Sequence, residues 1–250
     1  MSDILSLASD PIIVDQSIPE IGLLSRNTPH GPEKSLVDRF LSIYLKKLHS
    51  DSLKNLVFIE PHVNNAYPDI VLVRYSNANK CLWNENHLNL TDSHFKVLFE
   101  INRRNTISVH RLSKQIGIEQ SIIKRIIDEL AICNLVITNK QSVLRIPPSS
   151  FFCIKKIICF EAKIAKWSEA ISQALLNTRF ATESYILMDC KESTQEMVSR
   201  CRDLGIGIFL MNGRIHKDLP AQKQSQPVTY TSYVINEILL RIENMGGLIK

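Results

Sequence analysis

The spacing of apolar residues divides the chain into segments typical of helices and strands. From Glu33 to Leu48 apolar positions recur every three or four residues, which predicts an amphipathic helix with an acid in its first turn and lysines near its end. Two β-branched runs follow at 55–60 and 69–75, separated by a stretch of Pro, Asn and Ala that suits a turn. These runs predict a β-hairpin.

Residues 91–146 follow a different pattern. Three amphipathic helical segments come first, and two strand-like runs joined by a polar turn come after them. Thr91 and Ser108 suit helix N-caps, and Gly117 suits the turn between the second and third helices. The pattern predicts a small domain of three helices and a β-wing.

Beyond Pro147-Pro148, strand and helix patterns alternate, which indicates a mixed sheet with helices packed against it. The predicted strands are 155–164, 184–189 and 206–212, and the predicted helices are 166–181, 192–205 and 231–245. Residues 1–32 contain four prolines and are predicted to be loop that contributes little to a core. The predicted fold class is therefore α/β, with one domain interrupted by another.

The domain organisation follows from these boundaries. We expect an N-terminal lead-in at 1–32, a discontinuous α/β domain at 33–90 and 147–250, and an inserted helical domain at 91–146.

Composition narrows the class of protein only slightly. The chain has 250 residues, 44% of them apolar, and a formal net charge of +5, which suits a phosphate-bearing partner but serves solubility equally well. The six cysteines form no CxxC pair, and no apolar run approaches the length of a membrane span. With no basic start typical of a signal peptide, the sequence predicts a cytoplasmic protein with no membrane partner.

Candidate chemistry lies on two of the predicted strands. Glu161 and Lys163 are two residues apart, so a strand directs both side chains to one face. Such a pair also arises by chance in a chain of this length. Asp69 strengthens the case, because it follows Pro68 and opens an apolar strand, where Asp is disfavoured. If the two strands are neighbours, Asp69 and Glu161 could share one Mg²⁺ or Mn²⁺ ion, since hard cations take carboxylate ligands.

This pattern resembles the PD-(D/E)xK, or restriction-endonuclease-like, nuclease superfamily. The resemblance rests on Pro68-Asp69 and Glu161-Ala162-Lys163 within the order of helices and strands, and it covers about 33–90 and 150–211. It implies that Asp69, Glu161 and the carbonyl of Ala162 bind the metal, and that Lys163 acts on the attacking water. The gap between Asp69 and Glu161 is unusually long for this family, so the pairing of their strands is an assumption at this stage.

Two further residues enter through the same resemblance. Glu33 is a candidate metal ligand from the first helix, and Gln173 a candidate catalytic residue in the helix after Lys163. Each has an equally good ordinary explanation, because Glu33 is a routine first-turn acid and Gln173 a routine exposed helix residue.

The inserted segment resembles a winged helix-turn-helix domain, whose third helix enters the major groove of DNA. Gln120 and Ser121 are then candidates for base edges, Lys124 and Arg125 for phosphates or guanine, and Lys140 at the wing tip for another phosphate. The apolar positions of that helix are assigned to the core: Ile122, Ile123, Ile126, Ile127 and Leu130. Winged helices also serve as protein-interaction modules, so a DNA contact is one of two interpretations.

Together these features predict a DNA-binding, divalent-metal-dependent endonuclease that acts alone, as a homodimer or with a partner protein. Two alternatives remain open: a non-catalytic DNA-binding regulator, and a subunit of a larger DNA-processing complex for defence or transposition. The sequence does not distinguish them.

Overall fold

The computed structural model describes residues 11–26, 30–48, 53–76, 78–104, 106–139 and 142–245. The strands are β1 Ile12–Val14, β2 Lys54–Ile59, β3 Ile70–Tyr75, β4 Thr106–Ile107, β5 Val136–Thr138, β6 Val143–Arg145, β7 Ile154–Lys163, β8 Glu183–Met188, β9 Gly207–Met211 and β10 Ile215–Leu219. The helices are α1 Pro32–Tyr44, α2 Asp92–Asn102, α3 Val109–Ile116, α4 Gln120–Ile132, α5 Trp167–Asn177, α6 Gln195–Asp203 and α7 Tyr230–Asn244.

These elements form two compact units. The sheet unit comprises described residues of 1–76 and 154–228, and the helical unit those of 77–153 and 229–250. The predicted division placed 77–90, 147–153 and the last helix in the α/β domain. The structure groups all three with the helical unit instead, because α7 has an apolar stripe that packs with the core of that unit.

The sheet unit is built on a seven-stranded mixed sheet with the order β1-β2-β3-β7-β8-β9-β10. The predicted hairpin is confirmed, since β2 and β3 are antiparallel with Ile59 opposite Ile70. Strand β3 is antiparallel to β7, and β7, β8 and β9 are parallel. The coarse α/β class predicted from the sequence is therefore confirmed.

Helices cover the sheet on opposite faces. On one face, Phe40 of α1 packs against Phe160 of β7 and Phe209 of β9, with ring centroids 4.9 and 5.7 Å away. On the other face, Ala170 and Ala174 of α5 join a buried cluster with residues of α6, β8 and β9. Successive residues of β7 therefore point alternately toward α1 and α5.

The lead-in prediction is wrong for part of its length. Residues 12–14 form β1, which pairs in parallel with β2 at the edge of the sheet. Four apolar side chains of this segment are buried: Val14, Ile18, Ile21 and Leu23. A three-residue strand is too short to show alternation, and the prolines around it favoured a loop.

The helical unit contains α2, α3, α4 and α7 with a three-stranded sheet of order β4-β6-β5. The predicted caps are confirmed: the Thr91 amide donates to His94, the Ser108 hydroxyl accepts from the Arg111 amide, and Gly117 has φ +76°. The core position assigned to Ile122 is wrong, because its side chain is 40% exposed. The other four positions assigned to the core, Ile123, Ile126, Ile127 and Leu130, are buried as predicted.

Candidate functional site

Neighbouring strands place Asp69 beside Glu161. In the antiparallel pair of β3 and β7, Ile70 lies opposite Phe160, so the next pair along the register is Asp69 and Glu161. The Asp69 carboxylate accepts a 2.7 Å hydrogen bond from the backbone amide of Ala162. The strand pairing that the sequence left as an assumption is thus present, despite 91 intervening residues that include most of the helical unit.

Glu161 is buried between the sheet and α5. Its side chain is 4% exposed and accepts a 2.6 Å hydrogen bond from the Asn177 side-chain amide. Burial and, second, the nearby Asp69 carboxylate raise the pKa of Glu161 to about 8, against opposing effects of Asn177, Lys163 and Arg26. A buried acid of this kind is costly to ionise without a neighbouring cation.

Asp69 shares this environment. Burial raises its pKa, while the Ala162 amide and the Lys163 ammonium act in the opposite direction. The carboxylates of Glu60 and Glu33 add to the rise. Because the Asp69 carboxylate raises the pKa of Glu161, added positive charge is needed to favour ionisation of both carboxylates together.

Lys163 ends β7 and reaches toward α1. Its ammonium group lies 3.0 Å from the Glu33 carboxylate, and the Lys163 side chain is 12% exposed against 50% for Glu33. By strand alternation Glu161 and Lys163 share a face, yet their partners come from α5 and α1 respectively. The structure therefore brings four side chains to the edge of the sheet at which β3 begins and β7 ends: Glu33, Asp69, Glu161 and Lys163.

The sequence-based reasoning missed Glu60 and Arg26. Glu60 follows the last residue of β2, and its amide donates to the backbone carbonyl of Asp69 at 3.1 Å. Its side chain is buried and forms a 2.8 Å ion pair with Arg26. An acid directly after an apolar strand and before a proline was the available signal, the mirror image of the setting of Asp69, which follows a proline and precedes a strand.

The α5 residue that contacts Glu161 is Asn177 and not Gln173, the residue of that helix predicted to be catalytic. Gln173 lies on the exposed side of α5, whereas Asn177, one turn later, is fully buried and donates to Glu161. The stripe formed by Ala170, Ala174 and Asn177 has helical spacing, so the buried face of α5 could have indicated Asn177.

No family model, curated protein or solved structure matches the chain. The function is therefore argued from the geometry and chemistry of its own residues.

The described part of the chain holds neither a ready-made metal cluster nor a membrane-spanning helix. There, no three or more His, Cys, Asp or Glu side chains are grouped so that they could hold a metal ion by themselves. No helix within the same residues has the length and apolarity needed to cross a bilayer. Any cation at the sheet edge must therefore take part of its coordination from water, backbone or a bound phosphate.

The predicted DNA-contacting residues of α4 share one exposed face. Gln120, Ser121, Lys124 and Arg125 are all exposed. Gln120 lies 3.2 Å from His110, and the Ser121 hydroxyl donates to Glu119 at 2.7 Å. Lys140, the predicted wing contact, lies outside the described residues.

The high pKa of Glu161 gives a pH dependence of stability with a definite sign. In the folded protein Glu161 keeps its proton to about pH 8, whereas in the unfolded chain it ionises near its ordinary value of 4.5. Its contribution is therefore complete below about pH 4.5 and is lost as the pH rises through about 8. We expect the free energy of unfolding of the sheet unit to fall over that range in the presence of EDTA, because Asp69 acts in the same direction.

Urea denaturation between pH 5 and 9 measures this effect. A Trp83→Phe background leaves Trp167 of α5 as the only tryptophan, so its fluorescence follows the sheet unit. Glu161→Gln is expected to flatten the pH dependence, and the exposed Glu169→Gln to leave it unchanged. Equal slopes in the two variants would show that Glu161 is not the titrating group.

Proposed function

We propose that the chain is a divalent-metal-dependent DNA endonuclease whose sheet unit is restriction-endonuclease-like and carries the chemistry. The observation that carries this proposal is the convergence of Asp69, Glu161 and Lys163 at one edge of the sheet, although the two acids are far apart in sequence. An acid pair beside an amine suits phosphodiester hydrolysis, because the acids hold a cation and the amine stabilises growing negative charge.

The donor set suits Mg²⁺ or Mn²⁺ rather than a softer metal. Mg²⁺ sites commonly use one or two carboxylates and complete their shell with water and substrate phosphate, so a group of three acids is not required. Asp69 and Glu161 supply the two carboxylates, with the Ala162 carbonyl and Glu33 as further oxygen donors. Bound there, the ion would supply Lewis-acid polarisation of the phosphate and a more acidic water.

The chain's own residues have distinct tasks in this proposal. Asn177 holds the Glu161 carboxyl in place through its 2.6 Å hydrogen bond. The Ala162 amide does the same for Asp69. Lys163, released from Glu33, orients the attacking water and stabilises charge on the phosphate oxygens. Gln173, exposed on α5, is assigned no contact with these groups.

We further propose that the helical unit contains a winged helix-turn-helix that binds duplex DNA. In support, α3 and α4 are followed by the antiparallel pair β5 and β6. Exposed Lys124 and Arg125 lie on the outer face of α4, where groove entry requires them. Affinity and chemistry would then be divided between the two units.

A specific observation favours one rival, a non-catalytic DNA-binding regulator. Among the described residues the acids do not form a ready-made metal site, and Glu161 keeps its proton at neutral pH without a cation. In this rival the sheet unit is a scaffold for assembly.

A plasmid assay combined with calorimetry tests the proposal. The purified chain is expected to nick or linearise supercoiled DNA with Mg²⁺ or Mn²⁺ and to leave it intact in EDTA. Mn²⁺ is expected to bind the wild-type chain and not Glu161→Ala. DNA binding without cleavage in either metal would overturn the proposal in favour of the regulator, unless Mn²⁺ binds and added partner proteins start cleavage, which would identify a subunit of a larger complex.

A further inference from the structure

A basic cavity lies at the carboxyl ends of β8 and β9. Its volume is about 480 Å³, and we call it the edge pocket. The residues that line it are Cys190, Lys191, Leu210, Asn212, Arg214, Ile215 and His216. It belongs entirely to the sheet unit.

The edge pocket and the proposed catalytic residues of β7 both lie at the carboxyl ends of parallel strands. Strands β7, β8 and β9 are parallel, with Lys163 beside Met188 and Met188 beside Leu210. Lys191 follows the end of β8, and Arg214 follows the turn that ends β9. Strand β9 is two strands from β7, a distance of roughly 10 Å at the usual strand spacing.

The charges of the pocket are available for an anion. Within the described part of the chain, Lys191 and Arg214 have no acidic partner at ion-pair distance, and both are exposed. Two of the nearby acids are already engaged: Asp189 lies 2.6 Å from Arg39, and Asp218 lies 3.7 Å from His216 and accepts from Ser193. Two free cations and the Asn212 side chain therefore surround the opening.

We propose that the edge pocket binds a backbone phosphate of the nucleic acid near the one cleaved at Glu161. This inference rests on the proposed function, which it extends by naming a second contact for the substrate. Lys191 and Arg214 suit a phosphodiester through charge and, for Arg214, through paired N–H donors. Ile215, which is partly exposed, offers apolar surface to the adjoining sugar.

The spacing limits which phosphate is bound. Successive phosphates of one DNA strand are 3.4 Å apart along the helix axis and further apart through space, so roughly 10 Å spans no more than about three nucleotides. The pocket is therefore expected to hold a phosphate within about three nucleotides of the cleaved bond. That contact would fix the direction of the strand across the sheet edge.

The test is DNA affinity measured against salt concentration in EDTA, by fluorescence anisotropy with the full chain and a labelled duplex. The Lys191→Ala/Arg214→Ala variant is expected to bind about tenfold more weakly at low salt. Its plot of log affinity against log salt should be shallower by about one unit, as for the loss of one phosphate contact.

A matched control removes the same charge at the amino end of β9, away from the edge pocket. Arg202 and Lys223 are exposed and lie near Gly205, before β9 begins. Arg202→Ala/Lys223→Ala is expected to keep the wild-type slope. Equal slopes and affinities in the two double variants would overturn the pocket assignment.

A scan with single neutral methylphosphonates then locates the contact. One substituted position is expected to weaken binding of the wild type and the control, and to leave the pocket variant unaffected. A scan without such a position would contradict the proposal. Since neither measurement requires cleavage, the pocket can be supported even if the chain never cuts DNA, and the nuclease can stand if the pocket fails.

Discussion

Glu161→Gln is expected to lower the rate of metal-dependent DNA cleavage by at least about 10²–10³-fold, the loss typical when a group acting on transition-state charge is removed. Gln has the shape of Glu and can still accept the hydrogen bond from Asn177. It lacks the negative charge that holds a cation beside Asp69. The change therefore removes the metal-binding charge while it preserves packing.

The fold of this variant should be intact. Glu161 is buried and costly to ionise, so an uncharged side chain is expected to leave the free energy of unfolding unchanged or higher at pH 8. Single-turnover cleavage of a labelled duplex measures the rate, and urea denaturation measures the fold. Full activity in a folded Glu161→Gln variant would remove the carboxylate from the mechanism.

Two comparison variants sharpen this result. Glu169→Gln makes the same chemical change on the exposed face of α5 and is expected to cleave at the wild-type rate. Lys163→Met is expected to cleave slowly yet retain Mn²⁺ binding in calorimetry, because the amine acts on water and phosphate rather than on the ion. Loss of Mn²⁺ binding in Lys163→Met would contradict that division of roles.

Glu237→Ala is expected to destabilise the helical unit by about 3–5 kcal/mol, the usual cost of removing one partner from a buried ion pair. Glu237 of α7 is 4% exposed and lies 3.1 Å from Arg241 and 3.0 Å from His87. It also accepts from the Trp83 indole at 3.3 Å. Its removal leaves buried donors without their acceptor.

The His87 ring increases this cost. Its Nδ1 faces Glu237, and its Nε2 faces the backbone carbonyl of Cys133 at 3.0 Å. Removal of Glu237 leaves the buried Nδ1 without its side-chain partner. The Glu237 carboxylate also balances the positive charge of the buried Arg241 guanidinium.

Urea denaturation in a Trp167→Phe background follows the helical unit through Trp83. Glu237→Gln keeps an acceptor and is expected to lose less stability than Glu237→Ala. Glu85→Ala, an exposed change in the same unit, is expected to alter the free energy of unfolding by less than about 0.5 kcal/mol. Equal small effects at Glu237 and Glu85 would show that the network is not needed for stability.

The sequence predicts most of the elements because their patterns are local. The hairpin of β2 and β3, the caps of α2 and α3 and the alternation after 147 each depend on neighbouring residues. Strands β1, β4 and β10 were missed because they are short or largely exposed, and such strands show little alternation.

The site was predictable where an acidic residue breaks the apolar pattern of a strand. Asp69 interrupts the expected pattern at the start of a buried strand, and Glu161 interrupts another, so both were found. Asn177 depends on which face of α5 is buried, and Arg26 comes from a segment expected to be loop. Their contacts are set by tertiary packing, which a single sequence does not encode in any local pattern.

The assignment of α7 to the helical unit has the same origin. Its amphipathic pattern predicts a helix, but it does not identify the surface that the helix covers. Asn236 settles the matter, since it accepts from the Cys153 amide at 2.9 Å and donates to the Phe151 carbonyl at 2.8 Å. A buried polar residue in an apolar stripe was the signal for a specific partner.

A crystal of the chain soaked with Mn²⁺ and measured at the manganese absorption edge tests the central claim most directly. We predict an anomalous peak between the Asp69 and Glu161 carboxylates, about 2.0–2.2 Å from an oxygen of each, the distance of a small hard cation from its ligands. A fully occupied manganese ion elsewhere, with Glu161 still bonded only to Asn177, would contradict the account.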